Sequence, residues 1–472
     1  MSTKHPGVNQ SRISIAPRGL ATLALLGPSI VWAAEYIGSG EVILATRTGA
    51  VLGTSVLWAI VLGMALKFWI GMSGARYTVC TGEGMIDMFD RIPGPSHWSV
   101  WIVLVGQFIA GAISIGSVAS AAGIFLSSLF PVIPSYLSGW LITLFCILVV
   151  WSGQFKWLKM VMSVFVLITV IGVFYVAIQV IPSAETLING MIPGKSTVPD
   201  WALAKGAHEN PWREILPLIG WGAGGFASQV WYTYWVMGAG YGATKNRPYG
   251  QPADTTYLKK MPEKDARRIK GWCRVVYTDA TIALVLGILV TLGFLIAGAG
   301  VLRPLELAPE GPKVAITLST IFSSRWGTIG GFLFMMGGTA ALIGTQVGQM
   351  AGWPRLLADA FRLCIPAFNR KFTWKIQFRI FLIFFLITNM TIIYSFGLKP
   401  VSLVKTAAIL DGLLLTPLQA LLVAIGLYTV MPKLLSPQAK AILKPHWIFA
   451  AGLAIAFIVF SYFFFFQIPY IL

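Results

Sequence analysis

The chain has 472 residues, 56% hydrophobic and only 11% charged, with a mean hydropathy of +0.76. Soluble globular domains carry roughly 25% charged residues, so this composition excludes a soluble enzyme or binding module and indicates a polytopic membrane protein. The net charge of +18 is confined to particular loops rather than one patch interleaved with stacking aromatics, which argues against a nucleic-acid partner.

Apolar runs long enough to cross a hydrocarbon core of ~30 Å as helices predict an all-α protein of about eleven membrane spans. They lie at 20–46, 52–74, 98–129, 134–151, 158–182, 213–243, 273–301, 327–355, 376–397, 402–431 and 447–470. The first run is too long and too interrupted by glycine for a removable signal peptide, and is expected as helix 1 of the mature protein behind a tail at 1–19.

Within helix 1 the stretch EYIGSGE, residues 35–41, sets Glu35 and Glu41 on either side of a Gly-Ser-Gly interruption. Helix 6 is interrupted in the same way by Gly222-Ala223-Gly224-Gly225. Two broken helices five apart predict a five-plus-five inverted repeat, residues 20–182 and 213–431, joined by an external loop at 183–212 and followed by an added helix at 447–470. Broken backbone at mid-membrane is tolerated only where it lines a cavity or is buried in protein, and a solvent-reachable hollow is expected there. The other reading of these glycines is close helix packing through small residues.

The basic residues set the orientation. Loop 244–272 carries Lys245, Arg247, Lys259, Lys260, Lys264, Arg267, Arg268 and Lys270, and the loops holding Arg362, Arg370 and Lys371 and Lys433, Lys440 and Lys444 fall on the same side. The positive-inside rule then predicts a cytoplasmic N-terminus and external C-terminus, in the plasma (inner) membrane, with the basic face against anionic lipid. Cys80, Cys146, Cys273 and Cys364 have no spacing that supports a disulfide framework or a zinc site, and no cofactor motif is present.

An ionisable group inside a membrane helix costs roughly 2.5–3.5 kcal/mol on insertion scales and is read first as functional. Glu41 directly follows the first break, where its carboxylate and the carbonyls of Gly38 and Ser39 suit a hard cation. A structural ion pair with Lys67 or Arg379 is the alternative. Glu35, six residues earlier, faces a different neighbour on a continuous helix. Asp411 in ILDGLLLTP is a further intramembrane acid, and around the second break Gly225, Ser228 and Gln229 offer neutral oxygens. The crowd of Trp221, Phe226, Trp231, Tyr232, Tyr234 and Trp235 is either packing or a cation–π lining for an organic cation.

These segments resemble the Nramp divalent-metal transporters. The run from Gly27-Pro28 to YIGSGE is similar to that family's helix 1, which reaches YIDPGN at the same spacing. RYTVCTGEGM around Thr81-Gly82 resembles its helix 2 to 3 junction, GGTAALIGTQVGQ its helix 8 GQSSTITGTxAGQ, and GAGGFASQ its helix 6 GAxxMPHN. The resemblance implies the leucine-transporter fold and alternating access. The departures concentrate at the chemistry: the family's metal-binding aspartate aligns with Gly38, its asparagine with Glu41 and its methionine with Phe226. Losing a thioether while gaining a carboxylate favours hard ions such as Mg²⁺ or Mn²⁺, as in the Nramp-related magnesium transporters. Gln107, Ser114 and Ser117 stand where acids of the family's proton route lie, and Ser228 replaces its histidine, so transport is expected without that route.

Two functions follow as expectations. One is a divalent-cation transporter with Glu41, Gly38, Ser39, Gly225, Ser228, Gln229 and Asp411 at the ion. The other is an amino-acid or organic-amine transporter, since Gly-Ser-Gly also resembles the break of amino-acid permeases whose backbone amides hold a substrate carboxylate.

Overall fold

In lipid every backbone N–H and C=O has to be satisfied from within, which favours helices; the computed structural model, which describes residues 12–25, 27–152, 160, 167 and 171–471, is accordingly helical with no strand among those residues. Helix α1 is split into α1a (Pro28–Tyr36) and α1b, a π-helical turn Gly40–Ala45 continued by Thr46–Leu52. Next come α2 (Leu57–Thr81), α3 (Trp98–Leu129) and α4 (Ser135–Val150). Of the fifth expected span, 158–182, the helix Ile171–Gln179 (α5) is described and most of the remainder lies outside the described residues.

Helix α6 is split into α6a (Trp212–Trp221) and α6b (Phe226–Ala239). It is followed by α7 (Glu263–Ala297) and α8 (Val314–Cys364), then α9 (Trp374–Phe396). Helix α8 begins before the expected 327 because a turn through Gly327, at φ 59°, joins the preceding apolar residues to it. Helix α10 comprises Pro400–Ile409, a π-turn Leu410–Leu414 and Thr416–Ile425, and α11 is Trp447–Tyr462. The 183–212 loop carries two short helices, Ala184–Gly190 and Asp200–Ala204.

The interruptions in α1 and α6 fall where the glycines place them. Ile37 and Gly38 leave the helix, Ser39 having already returned to helical dihedrals (φ -63°, ψ -30°), and in α6 both Ala223 (φ 57°) and Gly224 (φ 73°) sit in the left-handed region. Glycine takes that conformation freely, whereas at Ala223 it is held against its preference. Close packing is present as well. A Cβ at Gly38 would run into the Thr345 side chain of α8, one at Gly40 into the Trp221 ring, and one at Gly225 into the Asp411 carboxylate. Helices α6a and α10 meet backbone to backbone at Gly220 and Gly412.

The loops sort onto two faces. The 244–272 segment meets the α2–α3 junction through Arg247 to the Gly82 carbonyl (3.1 Å), and the α10–α11 loop through the Ser436 amide to the Leu258 carbonyl (3.0 Å). Tyr249 stacks on Trp374 at the α8–α9 loop. This basic face is opposed by the one carrying 183–212 and 303–313, joined by Lys205 to the Glu306 carbonyl.

Gly412→Leu is expected to wedge α10 from α6a and destabilise the fold by about 1–3 kcal/mol, read as a lower melting temperature in detergent. Gly337→Leu, where nothing lies within 4 Å of the added Cβ, is expected to leave it unchanged.

Candidate functional site

Each break frees backbone groups in a place without water, and each is met by a specific side chain. At the α1 break the Gly38 amide donates to Glu41 Oε2 (3.0 Å) and the Trp221 indole donates to the Tyr36 carbonyl (3.2 Å). At the α6 break the Lys67 ammonium, on α2 and fully buried, donates to the carbonyls of Ile219 (3.1 Å), Gly220 and Gly224 (2.9 Å). Gln229 Nε2 donates to the Ala223 carbonyl (2.8 Å), Gln419 Nε2 to that of Phe226 (2.9 Å), and the Ala227 amide donates to Asp411 Oδ1 (3.1 Å). The wider turn Leu410–Leu414 carries Asp411 on the side of α10 that meets α6b.

Four ionisable groups thus share the centre of the molecule. Glu41 is folded over its own break, its Oε1 within 3.2 Å of the Thr291 hydroxyl on α7. Among the described residues it forms no ion pair with Lys67 or Arg379; Lys67 is engaged by α6 carbonyls and Arg379 lies over the Trp151 ring. Glu35 accepts from Ser228 Oγ, which in turn accepts from the Trp32 indole (3.1 Å). Residue 35 therefore faces the α6 break, and lies within Coulombic reach of Asp411, Glu41 and Lys67. Sequence reasoning left it outside the site because a continuous helix was used to place it; the interruption between the two glutamates turns both inward. Fully ionised, three carboxylates and one ammonium carry a formal charge of −2.

The structure brings Gly38, Ser39 and Glu41 together at one break and Gly225, Ser228, Gln229 and Asp411 at the other. Two residues near them were not among the site residues expected from the sequence. Thr345 lies against Gly38, and Met64 of α2 touches Gly222 and places its sulfur 3.9 Å from Thr291 Oγ1. Thr345 stands inside the GTQ stretch of α8, whereas Met64 has no local signal. The hydroxyls of Ser39 and Thr345 and the Gln229 Oε1 are buried oxygens without a hydrogen-bond partner among the described residues.

One expectation needs correction. The centre is closed rather than a solvent-reachable hollow: Glu41 is 1% exposed and Glu35 3%, because their carboxylates are satisfied by protein donors. Of the two readings of the helix 6 aromatics the structure shows packing, with Tyr232 stacked on Trp32 (4.4 Å between centroids), Trp231 edge-on to Trp353 and Trp235 covered by Arg355. Among the described residues no three His, Cys, Asp or Glu side chains stand close enough to share one metal ion.

Both faces are braced by ion pairs. On the face of 183–212, Arg47 within α1b reaches Glu214 on α6a (3.1 Å) and Glu310 (2.7 Å), and Lys405 on α10 reaches Glu214 (2.7 Å). On the basic face Arg362 of α8 bridges Asp87 (2.7 Å) and Asp359 (3.5 Å), and Asp359 accepts from the Tyr234 hydroxyl of α6b (2.8 Å). On α3, Gln107 Oε1 accepts from the Trp353 indole (3.0 Å) and Ser114 Oγ lies 3.2 Å from Gln349 Nε2, so neutral polar bonds to α8 occupy these positions.

Residues 29–204 match the natural resistance-associated macrophage protein-like (Nramp) family. The divalent metal cation transporter MntH of Pectobacterium carotovorum is 30% identical over 81 residues, 17% of this chain and 20% of that protein. The chain thus aligns with about a fifth of the length of the curated relatives it matches. The fold is shared far more widely. A manganese transporter of Eremococcus coleocola superposes with a TM-score of 0.67 at 16% identity, covering 97% of this chain and 91% of that one. The nucleobase-cation-symport-1 transporter Mhp1 superposes at 0.56 with 13% identity, covering 92% and 91%. Across residues 29–204 the chain is Nramp-like, and over nearly its whole length it has the leucine-transporter fold, with α1 and α6 broken at its centre.

Proposed function

We propose that the chain is a transporter of a divalent cation, Mn²⁺ or Mg²⁺, that works by alternating access around the two breaks. The observation that carries this reading is the buried set of Glu35, Glu41 and Asp411 against a single Lys67, an excess of negative charge that a dication complements. Charges buried at this depth are costly unless matched, and their retention at two unwound segments favours a cationic cargo.

Glu41, the Gly38 and Ser39 backbone, Ser39 Oγ and Thr345 Oγ1 form the oxygen set at the first break, with Glu35, Asp411, Gly225, Ser228 and Gln229 at the second. A cation entering this centre displaces the hydrogen bond of Glu41 to the Gly38 amide, so binding and the geometry of the break are linked. Met64 beside Thr291 offers a thioether from α2 in place of the one missing at Phe226, which keeps Mn²⁺ alongside Mg²⁺ as cargo. The amino-acid alternative is disfavoured because the amide that would hold a substrate carboxylate, that of Gly38, already binds Glu41.

Alternating access then consists of releasing one ion-paired face at a time. The neutral contacts of Gln107 and Ser114 support cation movement uncoupled from a proton path along α3. We place the basic face in the cytoplasm, following the charge bias of its loops.

In proteoliposomes, Glu41→Gln keeps an acceptor for the Gly38 amide but removes the charge. Divalent influx and binding are expected to fall at least about tenfold, as does loss of even an outer-shell partner at a metal site; Thr345→Val should lower them as well. Unchanged Mn²⁺ and Mg²⁺ flux in Glu41→Gln, or saturable amino-acid flux without any metal response, would overturn the reading. An imposed proton gradient is expected to leave the initial rate unaltered, and acceleration by it would restore a proton-coupled mechanism. Glu214→Gln leaves Lys405 without its carboxylate and Arg47 with Glu310 alone, and is expected to weaken closure of that face by about 1.5–3 kcal/mol. The readout is faster modification of Thr48→Cys by an impermeant thiol reagent.

A further inference from the structure

The segment 12–23 ahead of α1a runs along the beginning of α7 and encloses with it a groove of about 940 Å³. Two bonds fix the segment in place: Arg268 donates to the Ile13 carbonyl (2.6 Å) and the Trp272 indole to that of Ser14 (2.9 Å). Gly271 permits the approach, since a Cβ there would stand 3.1 Å from Ala16.

The groove is strongly basic. Arg267, Lys270 and Arg274 follow the i, i+3, i+7 spacing that puts side chains on one helical face, and Arg18 joins them from the other wall. No acidic residue lines it. Arg267 is paired with Glu263 (2.5 Å), whereas Arg18, Lys270 and Arg274 are exposed and have no acidic partner among the described residues. The sequence ahead of the segment, 1–11, contains no Asp or Glu.

The groove is also partly apolar. Ile15 (72% exposed) and Leu23 (47%) line it beside Ile442, and Leu20 (84%) stands next to Arg18. Exposed large aliphatics interleaved with arginine, at the point where α7 changes from charged to apolar sequence, place the groove at the level of lipid headgroups.

We propose that this groove is a binding site for the phosphate headgroup of an anionic phospholipid. The phosphate is held by Arg18, Lys270 and Arg274, and the upper acyl chain lies along Ile15, Leu23 and Ile442. Arginine forks suit phosphate oxygens, and basic pockets between membrane helices on the cytoplasmic side are suited to acidic headgroups. Because the segment leads directly into α1a, the lipid ties the first half of the broken helix to the membrane surface, whatever the cargo proves to be.

The test uses the full chain, delipidated in detergent and titrated with phosphatidylglycerol, bound lipid being counted by native mass spectrometry. Arg18→Gln/Lys270→Gln/Arg274→Gln is expected to weaken the tightest bound lipid on the order of a hundredfold, and Arg274→Gln alone roughly fivefold. Lys259→Gln/Lys260→Gln/Lys264→Gln removes the same charge outside the groove and is expected to leave that lipid in place. Equal loss in both triple variants, retention in the groove variants, or displacement of the lipid by millimolar inorganic phosphate would overturn the proposal. The last outcome would instead mark a free-anion site.

Discussion

The structure depends on one constraint: unwound backbone at the centre of a membrane protein has to find its hydrogen-bond partners without water. Six side chains meet it here. Glu41 and Trp221 serve the α1 break, and Lys67, Gln229, Gln419 and Asp411 serve the α6 break. They come from α1b, α6, α2 and α10, so the two interruptions are the points at which these helices are held in register.

The same groups supply the proposed transport chemistry. A carboxylate that caps an amide in one state is free to bind a cation in another, provided the amide is exposed or re-paired by the movement. Lys67 is different in kind. Its three carbonyl partners hold the amine in the break, and as an ammonium it offsets one of the three acids wherever those contacts persist.

Much of the architecture was legible in the sequence because hydropathy and glycine placement are local signals. The apolar runs whose helices are described, and interruptions beside the glycines of 38–40 and 222–225, appear in those terms; the run at 158–182 lies mostly outside the described residues. The position of Glu35 was not legible, since its direction depends on how far the chain turns between Tyr36 and Gly40, and helical spacing carries no meaning across that gap. The engagement of Lys67 by Ile219, Gly220 and Gly224 spans some 150 residues of chain. The approach of Met64 to Thr291 spans 227 residues, and no pattern of neighbouring residues encodes either. Close packing and broken helices were posed as competing explanations of the glycines, and Gly38 and Gly225 serve both purposes.

The ion pairs around Arg47 and the bases of the headgroup groove respond differently to the surrounding electrolyte. Arg47 and Glu214 are 1% and 3% exposed, so mobile counter-ions hardly reach between them. Arg18, Lys270 and Arg274 are open to solvent, where a Debye length of about 8 Å at physiological ionic strength dampens their field. Salt is therefore a handle on the membrane anchorage of the first half-helix that acts far less on the buried Arg47–Glu214 pair of the far side.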